Sequence, residues 1–205
     1  MPSTYAELKE EVVNFLNNMA AEQTVDTFID LTEADMSRRV RHWRMEKRST
    51  AILDTQYSAL PNSFYEPIRL SITSGDTYRL ELAGQADMME RRERGSDVAG
   101  RPKYYAITDG SIEVYPTPND DYTLEMVYYS KIIPLDSSNT SNWVLTYYPD
   151  AYLYGALLHS APFLGEDARL QTWSALYEKA INDINADSEK AKFGGSGHRM
   201  KIRSY

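Results

Sequence analysis

The chain contains three histidines, and histidine is the side chain that most often serves as a metal ligand or general base near neutral pH. His42 and Glu46 are spaced to share one face of a helix, which is how a two-residue metal motif begins. No third ligand follows at a suitable spacing, so we interpret His42 as a histidine on a charged helix surface. His159 falls late in an apolar segment, and we interpret it as a polar group near a helix C-terminus.

Motifs for nucleophilic catalysis and phosphate binding are missing from the sequence. It has no G-x-S-x-G, H-E-x-x-H or Walker sequence, and the run Gly194-Gly195-Ser196-Gly197 lacks the flanking strand and helix of a phosphate-binding loop. Cysteine is absent, which excludes thiolate ligands, a cysteine nucleophile and disulfides. Asp120 and Asp121 are typical of a turn between strands. The sequence therefore predicts a non-enzymatic protein with no metal and no cofactor.

The charge balance restricts the partners of the folded body. Asp and Glu number 30 against 22 Lys and Arg, a formal net charge of -8, and such a surface repels a phosphate backbone. No window approaches the run of about 18 apolar residues that a membrane span needs, and the N-terminus lacks a signal-peptide pattern. We expect a soluble protein with no membrane partner.

Helical periodicity predicts four helices, at about residues 4–20, 25–44, 149–160 and 166–189. The first begins with a capping box, Thr4-x-x-Glu7. Pro149 is placed where a first helical turn tolerates proline, and Pro162 marks the break before the last helix. That helix has the clearest inward stripe in the chain, which consists of Leu170, Trp173, Leu176, Tyr177, Ala180, Ile181 and Ile184.

The residue pattern changes to a period of two between residues 101 and 130. Asp109-Gly110 between alternating apolar runs is a hairpin signal, and we predict three antiparallel strands in a tyrosine-rich meander. The two prolines of Ser49–Ile72 favour strand, turn, strand, whereas the densely charged segment Asp76–Arg94 favours a short exposed helix or a helix and loop. The role of the charged segment at residues 84–100 stays open. The 16 tyrosines indicate that some lie at protein interfaces.

Together these elements predict an α+β, mainly α, fold. We expect a helical bundle of two N-terminal and two C-terminal helices, an inserted antiparallel β-meander and an extended C-terminal arm. Residues 1–190 form the predicted single domain, and residues 191–205 the flexible basic arm.

The predicted arm alternates basic and apolar residues behind a glycine-rich hinge, so it cannot bury enough apolar surface to order itself alone. Its cations would meet an acidic groove and its apolar side chains would fill pockets, with HRMKIRSY adding a strand to another subunit's sheet edge. The predicted docking residues are Lys192, Phe193, His198, Arg199, Met200, Lys201, Ile202, Arg203 and Tyr205.

The order of these segments resembles the head-to-tail adaptor proteins (connector or head completion proteins) of tailed bacteriophages. The resemblance spans Tyr5–Ile184 and is carried mainly by Tyr104–Ile184. Its best-matching positions are Trp143, Tyr147, Pro149, Asp150, Tyr154, Gly155, Trp173 and Tyr177.

The resemblance implies a structural virion protein at the head-tail interface, assembled in the host bacterial cytoplasm. It implies a ring of about twelve copies beneath the portal, a closed assembly in which each subunit presents two different surfaces. The implied partners are the portal protein, a tail or nozzle protein and further copies of the chain, and the C-terminal arm would dock on the portal or a neighbour. Viral DNA would pass through the ring without sequence-specific binding.

Two other functions stay open on the sequence alone. The abundance of carboxylates would suit a virion-associated peptidoglycan hydrolase, which needs a pair of them. The acidic body would also suit a protein-interaction module that binds a basic partner.

Overall fold

A computed structural model describes residues 1–17, 24–95, 98–164 and 168–193 of the chain. The predicted α+β fold class is confirmed. The chain divides into two compact units: unit 1 consists of Met1–Arg44 and Ile132–Tyr205, and unit 2 consists of Met45–Lys131. Unit 2 is therefore an insertion within the sequence of unit 1. The predicted division into a domain at 1–190 and an arm at 191–205 stays a prediction, because residues 194–205 lie outside the described residues.

Helices make up most of unit 1, and one further helix belongs to unit 2. The bounds are α1 (Tyr5–Leu16), α2 (Val25–Arg39), α3 (Gln85–Gly95, in unit 2), α4 (Trp143–Tyr147), α5 (Pro149–His159), α6 (Ala161–Leu164) and α7 (Leu170–Phe193). None of these described helices is long and apolar enough to span a membrane.

Side chains cap the start of α1, and the backbone of Asn17 ends it. The Thr4 hydroxyl accepts the Glu7 amide at 3.3 Å, which is the first half of the predicted capping box. The Glu7 carboxylate accepts the amide and hydroxyl of Ser3, at 2.8 Å each, and this replaces the second half. The helix ends at Leu16, before the predicted end at about residue 20, because Asn17 adopts the left-handed conformation common at helix C-termini, with φ 50°.

The end of α2 corrects the prediction of a helix that continues to residue 44. The helix ends at Arg39, and Val40 is extended with ψ 130°. The next amides bind side chains of α7: Arg41 donates to Asn185 at 2.9 Å and Trp43 to Ser188 at 2.9 Å. These bonds replace those that a continued helix would have supplied, and the chain turns into a short 3-10 helix at Trp43–Met45.

The core of unit 1 is built around α5, which packs against α1, α2, α4 and α7. Burial on several sides explains why α5 is apolar around most of its circumference. The inward stripe predicted for α7 is confirmed at five positions, and Leu170 and Leu176 are half-buried. The five buried residues are Trp173, Tyr177, Ala180, Ile181 and Ile184.

Unit 2 contains two four-stranded sheets. The strands are β1 (Glu46–Leu53), β2 (Tyr57–Ala59), β3 (Phe64–Ile72), β4 (Tyr78–Arg79), β5 (Glu81–Leu82), β6 (Tyr104–Thr108), β7 (Ser111–Tyr115) and β8 (Tyr122–Ser130). One sheet has the order β1-β8-β3-β4 and the other β2-β7-β6-β5. The β5–β6 pair is parallel, and the other pairs are antiparallel. Side chains from both sheets form one core, which includes Leu70, Ile72, Ile112, Val114 and Leu124.

The predicted three-stranded meander is wrong in its third strand. The hairpin of β6 and β7 is present, and its turn residues Asp109 and Gly110 have φ values of 43° and 72°, as a tight hairpin requires. Strand β8, however, lies in the other sheet between β1 and β3. Alternating burial along a strand is the same whichever strand lies beside it, so the period-two pattern predicts the strand and not its partners.

Candidate protein-interaction surface

The residues that carry the resemblance lie on three helices of unit 1. Trp143 and Tyr147 are on α4, Pro149, Asp150, Tyr154 and Gly155 on α5, and Trp173 and Tyr177 on α7. Pro149 occupies the first turn of α5, as predicted. Tyr147 is the exposed member of this set, whereas Gly155, Trp173 and Tyr177 are buried.

Tyr147 forms a stack with two exposed residues outside the set, Arg44 and Trp43. The guanidinium carbon of Arg44 lies 4.5 Å from the centre of the Trp43 ring and 4.1 Å from that of Tyr147. Trp43 is 41% and Tyr147 is 56% exposed. Each cation-π contact at an exposed site contributes about 0.5–1 kcal/mol, so the two together favour one orientation of Arg44. We call Trp43, Arg44 and Tyr147 the Arg44 stack.

His42 lies beneath the Arg44 stack, which corrects its interpretation as a histidine on a charged helix surface. It is 2% exposed, and its ring stacks on Trp143 with centroids 4.7 Å apart. Its Nδ1 accepts the Arg44 amide at 3.2 Å, which fixes the backbone of the stack. Tyr148 packs edge-on against both rings and donates its hydroxyl to Asp187 at 3.0 Å.

A buried polar network positions α4. Asn142 caps the helix by accepting the Leu145 amide at 3.0 Å, and its side-chain amide donates to the Tyr152 hydroxyl at 2.6 Å. Tyr152 donates in turn to Glu33 at 2.8 Å, and Glu33 also accepts the Leu135 amide at 2.8 Å. Burial raises the pKa of Glu33, against the lowering effect of these two hydrogen bonds. The network ties the segment before α4 to both α2 and α5.

Gly155 allows three helices to approach closely. A Cβ at this position would lie 2.3 Å from Thr32 Cγ2 on α2 and 3.0 Å from Tyr177 Cε2 on α7. Tyr177 also donates its hydroxyl to Asp35 at 2.9 Å. Burial would raise the pKa of Asp35, but this bond and the neighbouring Arg38 and Arg39 outweigh it and lower the pKa. Gly155 and Tyr177 are therefore support residues of unit 1.

Trp173 is also buried, at 5% exposure, under the side chain of Arg169. Arg169 lies 4.8 Å from the centre of the Trp173 ring and donates to the Phe15 carbonyl at 3.1 Å, which links the start of α7 to α1. Tyr154 and Asp150 are half-buried.

The predicted docking arm is largely outside the described residues. Lys192 and Phe193 form the last turn of α7, and Phe193 is 60% exposed. The remaining predicted docking residues, which are His198, Arg199, Met200, Lys201, Ile202, Arg203 and Tyr205, lie outside the described residues.

The residues that the sequence analysis considered for catalysis or metal binding make structural contacts. His159 ends α5 as predicted, and burial lowers the pKa of its imidazole. Asp120 accepts the amide of Asp121 at 2.8 Å, a local turn contact. Since α2 ends before His42 and Glu46, these two do not share a helix face. Among the described residues, no group of three or more His, Asp or Glu side chains is placed to hold a metal ion.

Comparison with known proteins gives one result that covers both units. No curated protein matches the chain. The family model described as SU10 adaptor protein matches residues 3–200, nearly the whole sequence. This match includes the Arg44 stack, its supporting helices and all of unit 2. The chain therefore belongs to the SU10 adaptor protein family, a family of structural head-tail adaptor proteins of bacteriophages.

Proposed function

We propose that the chain is one subunit of a ring that joins the portal vertex of the phage head to the tail. The observation that carries this proposal is the family match over residues 3–200. The ring would be assembled in the host bacterial cytoplasm from about twelve copies, and a closed ring requires each copy to bind its neighbours through two different surfaces. The partners at its two ends would be the portal protein and a tail or nozzle protein, and viral DNA would pass through without sequence-specific contacts.

In this proposal the arm at residues 191–205 docks on the portal or on a neighbouring subunit. The arm begins at the end of α7, a 24-residue helix whose last described side chain, Phe193, is exposed. A helix of this length extends about 36 Å, so it gives the arm a rigid base. Alternating basic and apolar residues suit a segment that orders when it contacts an acidic partner.

The Arg44 stack is the second contact that we propose with another virion protein. Tryptophan, tyrosine and arginine are the residues most enriched among those that dominate binding energy at protein interfaces. Because Arg44 is already held between two rings, binding through it loses little conformational entropy.

Mixing the protein with the cognate portal ring tests the proposal. We expect the full chain to add a stoichiometric ring, measured by native mass determination and electron microscopy. A chain that ends at Ala191 is expected to bind much more weakly, since it lacks the arm. Binding of the truncated chain at full strength would contradict the docking role of the arm. No binding by the full chain would contradict the adaptor role itself.

A pair of tyrosine variants tests the Arg44 stack. Tyr147 and Tyr57 are almost equally exposed, at 56% and 55%, but Tyr57 lies on β2 in unit 2. Loss of a dominant interface side chain costs about 2 kcal/mol or more, which is roughly a 30-fold loss of affinity. We therefore expect Tyr147→Ala to weaken ring formation on the portal by about that factor, and Tyr57→Ala to leave it unchanged. Equal effects of the two variants would exclude a special role for the stack.

A further inference from the structure

Unit 2 carries a group of cations that are not neutralised within the described part of the chain. Its other arginines are paired, as Arg69 with Glu125 at 2.8 Å and Arg92 with Glu113 at 3.0 Å show. Six cations of unit 2 form no ion pair with any described carboxylate, and four of these either contact the Tyr78 or Tyr104 ring or line one cavity with those rings. We call these four the basic cluster: Arg79, Arg91, Arg101 and Lys103.

Tyrosine rings hold two members of the basic cluster in place. The guanidinium carbon of Arg101 lies 4.3 Å from the centre of the Tyr78 ring, and Nη2 donates to the Asp76 carbonyl at 2.6 Å. Arg91 lies 3.9 Å from the centre of the Tyr104 ring in the same way. The Nε of Arg101 is buried and has no hydrogen-bond partner among the described residues.

Tyr78, Arg101 and Tyr104 also line an open cavity of about 330 Å³, whose lining does not include Arg91. Its lining contains three cations of the basic cluster and a single carboxylate, and the complete lining is Tyr78, Arg79, Glu81, Arg101, Lys103 and Tyr104. Guanidinium and ammonium groups form their strongest hydrogen bonds with carboxylates and phosphates. The chemistry of the cavity thus calls for an anionic partner.

Helix α1 in unit 1 carries an excess of negative charge. Glu7, Glu10 and Glu11 are spaced three and four residues apart, which places them on one helix face. Glu10 and Glu11 form no ion pair among the described residues, and hydrogen bonds from Ser3 lower the pKa of Glu7. Like charges at this spacing destabilise an isolated helix slightly, so the face gains from a cationic partner. We call these three residues the acidic face.

We propose that the basic cluster of one copy binds the acidic face of a second copy. The inference rests on the proposed ring, where each subunit needs two different and complementary surfaces, and it assigns those surfaces to named residues. Duplex DNA is the competing anion, but the net charge of -8 disfavours a phosphate backbone. Carboxylates presented by another copy are the partner that the observations favour.

Charge reversal in both directions tests this pairing. One variant carries Arg79→Glu and Lys103→Glu, a second carries Glu10→Lys and Glu11→Lys, and a third carries all four changes. We expect each of the first two to weaken self-association at least tenfold in sedimentation velocity at low salt, because like charges then face each other. The third variant is expected to recover most of the loss, since the charges are complementary again. Circular dichroism checks that every variant is folded.

A matched control variant has the same change in net charge, but at two residues outside the basic cluster. Lys47→Glu with Lys131→Glu alters two exposed lysines of unit 2 outside the basic cluster, and we expect this variant to self-associate like the wild type. Failure of the four-change variant to recover would overturn the proposal, as would a wild-type chain that shows no self-association at the highest attainable concentration.

Two further measurements separate this inference from the adaptor role and from DNA binding. If all variants add the same ring to the portal as the wild type does, the pairing is wrong and the adaptor role stands. If the wild type adds no ring, the adaptor role fails, and the sedimentation data alone decide the pairing. If Arg79→Glu with Lys103→Glu abolishes binding to duplex DNA while self-association is unchanged, the cluster serves DNA and the proposal is overturned.

Discussion

Replacing Gly155 by alanine gives a direct test of how unit 1 is packed. The added methyl group would lie 2.3 Å from Thr32 Cγ2 and 3.0 Å from Tyr177 Cε2, both closer than ordinary van der Waals contact. Thr32 is fully buried, and its hydroxyl donates to the Phe28 carbonyl at 2.8 Å. Rotating Thr32 away from the methyl group would therefore break a buried hydrogen bond.

The expected loss of stability follows from opposing contributions. Alanine is favoured over glycine inside a helix by about 1 kcal/mol. Overpacking a core costs about 1–3 kcal/mol, and an unsatisfied buried hydroxyl costs about 1–3 kcal/mol. The steric and hydrogen-bond costs exceed the gain in helix propensity, so we expect Gly155→Ala to lower the free energy of unfolding by about 3 kcal/mol.

Tryptophan fluorescence during urea unfolding measures this change in unit 1 alone. The three tryptophans, Trp43, Trp143 and Trp173, all belong to unit 1, and unit 2 has none. Adding Thr32→Ser to Gly155→Ala removes the nearest methyl group, and we expect it to recover more than half of the loss.

Gly84→Ala is the control, because a Cβ there would meet only Asp87 Oδ2, at 3.8 Å. We expect it to change stability by less than about 0.5 kcal/mol, as measured by circular dichroism. A Gly155→Ala chain that is as stable as the wild type, or more stable, would refute the close-packing argument.

Three further predictions concern buried polar groups. Tyr152→Phe is expected to lower the stability of unit 1 by about 1–3 kcal/mol in urea unfolding followed by fluorescence, because its hydroxyl donates to the buried Glu33. Glu33 has a raised pKa when folded, so its contribution to stability is largest in acid and is lost as pH rises through the folded pKa. Glu33→Gln is therefore expected to gain stability relative to the wild type as pH rises from acid to neutral, in urea titrations at a series of pH values. Arg92→Met is expected to destabilise unit 2 by about 3–5 kcal/mol in tyrosine near-ultraviolet circular dichroism, because it leaves the Glu113 carboxylate buried without its cation, whereas Arg94→Met on the same helix costs less than about 1 kcal/mol.

Each of these predictions has a result that would contradict it. An unchanged unfolding midpoint in Tyr152→Phe would show that Glu33 and Asn142 find other partners. A stability difference between Glu33→Gln and the wild type that is constant with pH would mean that the carboxyl titrates alike in the folded and unfolded chains. Equal losses in Arg92→Met and Arg94→Met would mean that burial of the Arg92 pair is energetically unimportant.

The parts of the fold that depend on residues close together in the sequence could be predicted from the sequence. The inward stripe of α7 was predictable because helical periodicity places Trp173 and Tyr177 on one face whatever packs against it. The β6–β7 hairpin was predictable because Asp109-Gly110 itself supplies the positive φ values that the turn needs. Strand β8 was also recognisable, but its partners were not, since those depend on β1 and β3 much earlier in the chain.

The candidate site depended on distant contacts and was only partly predictable. The α2 end was missed because the competing acceptors on Asn185 and Ser188 are 144 and 145 residues from the amides they bind. Gly155 and Tyr177 were selected by resemblance, and only the structure supplies the packing reason. Arg44 could not be singled out from the sequence, because nothing in the local sequence indicates that Tyr147, far along the chain, packs against it.

The insertion of unit 2 also affects the chain entropy of unit 1. The first and last strands of unit 2 are neighbours, with Glu46 paired to Tyr129, and paired Cα atoms in such a ladder are about 5 Å apart. Once folded, unit 2 connects the two halves of unit 1 as a short turn would, whereas the unfolded insertion would be a long flexible loop. The free-energy cost of closing the loop is about 3 kcal/mol smaller when unit 2 is folded. Folding of unit 2 thus favours assembly of unit 1 through chain connectivity alone, before any partner binds.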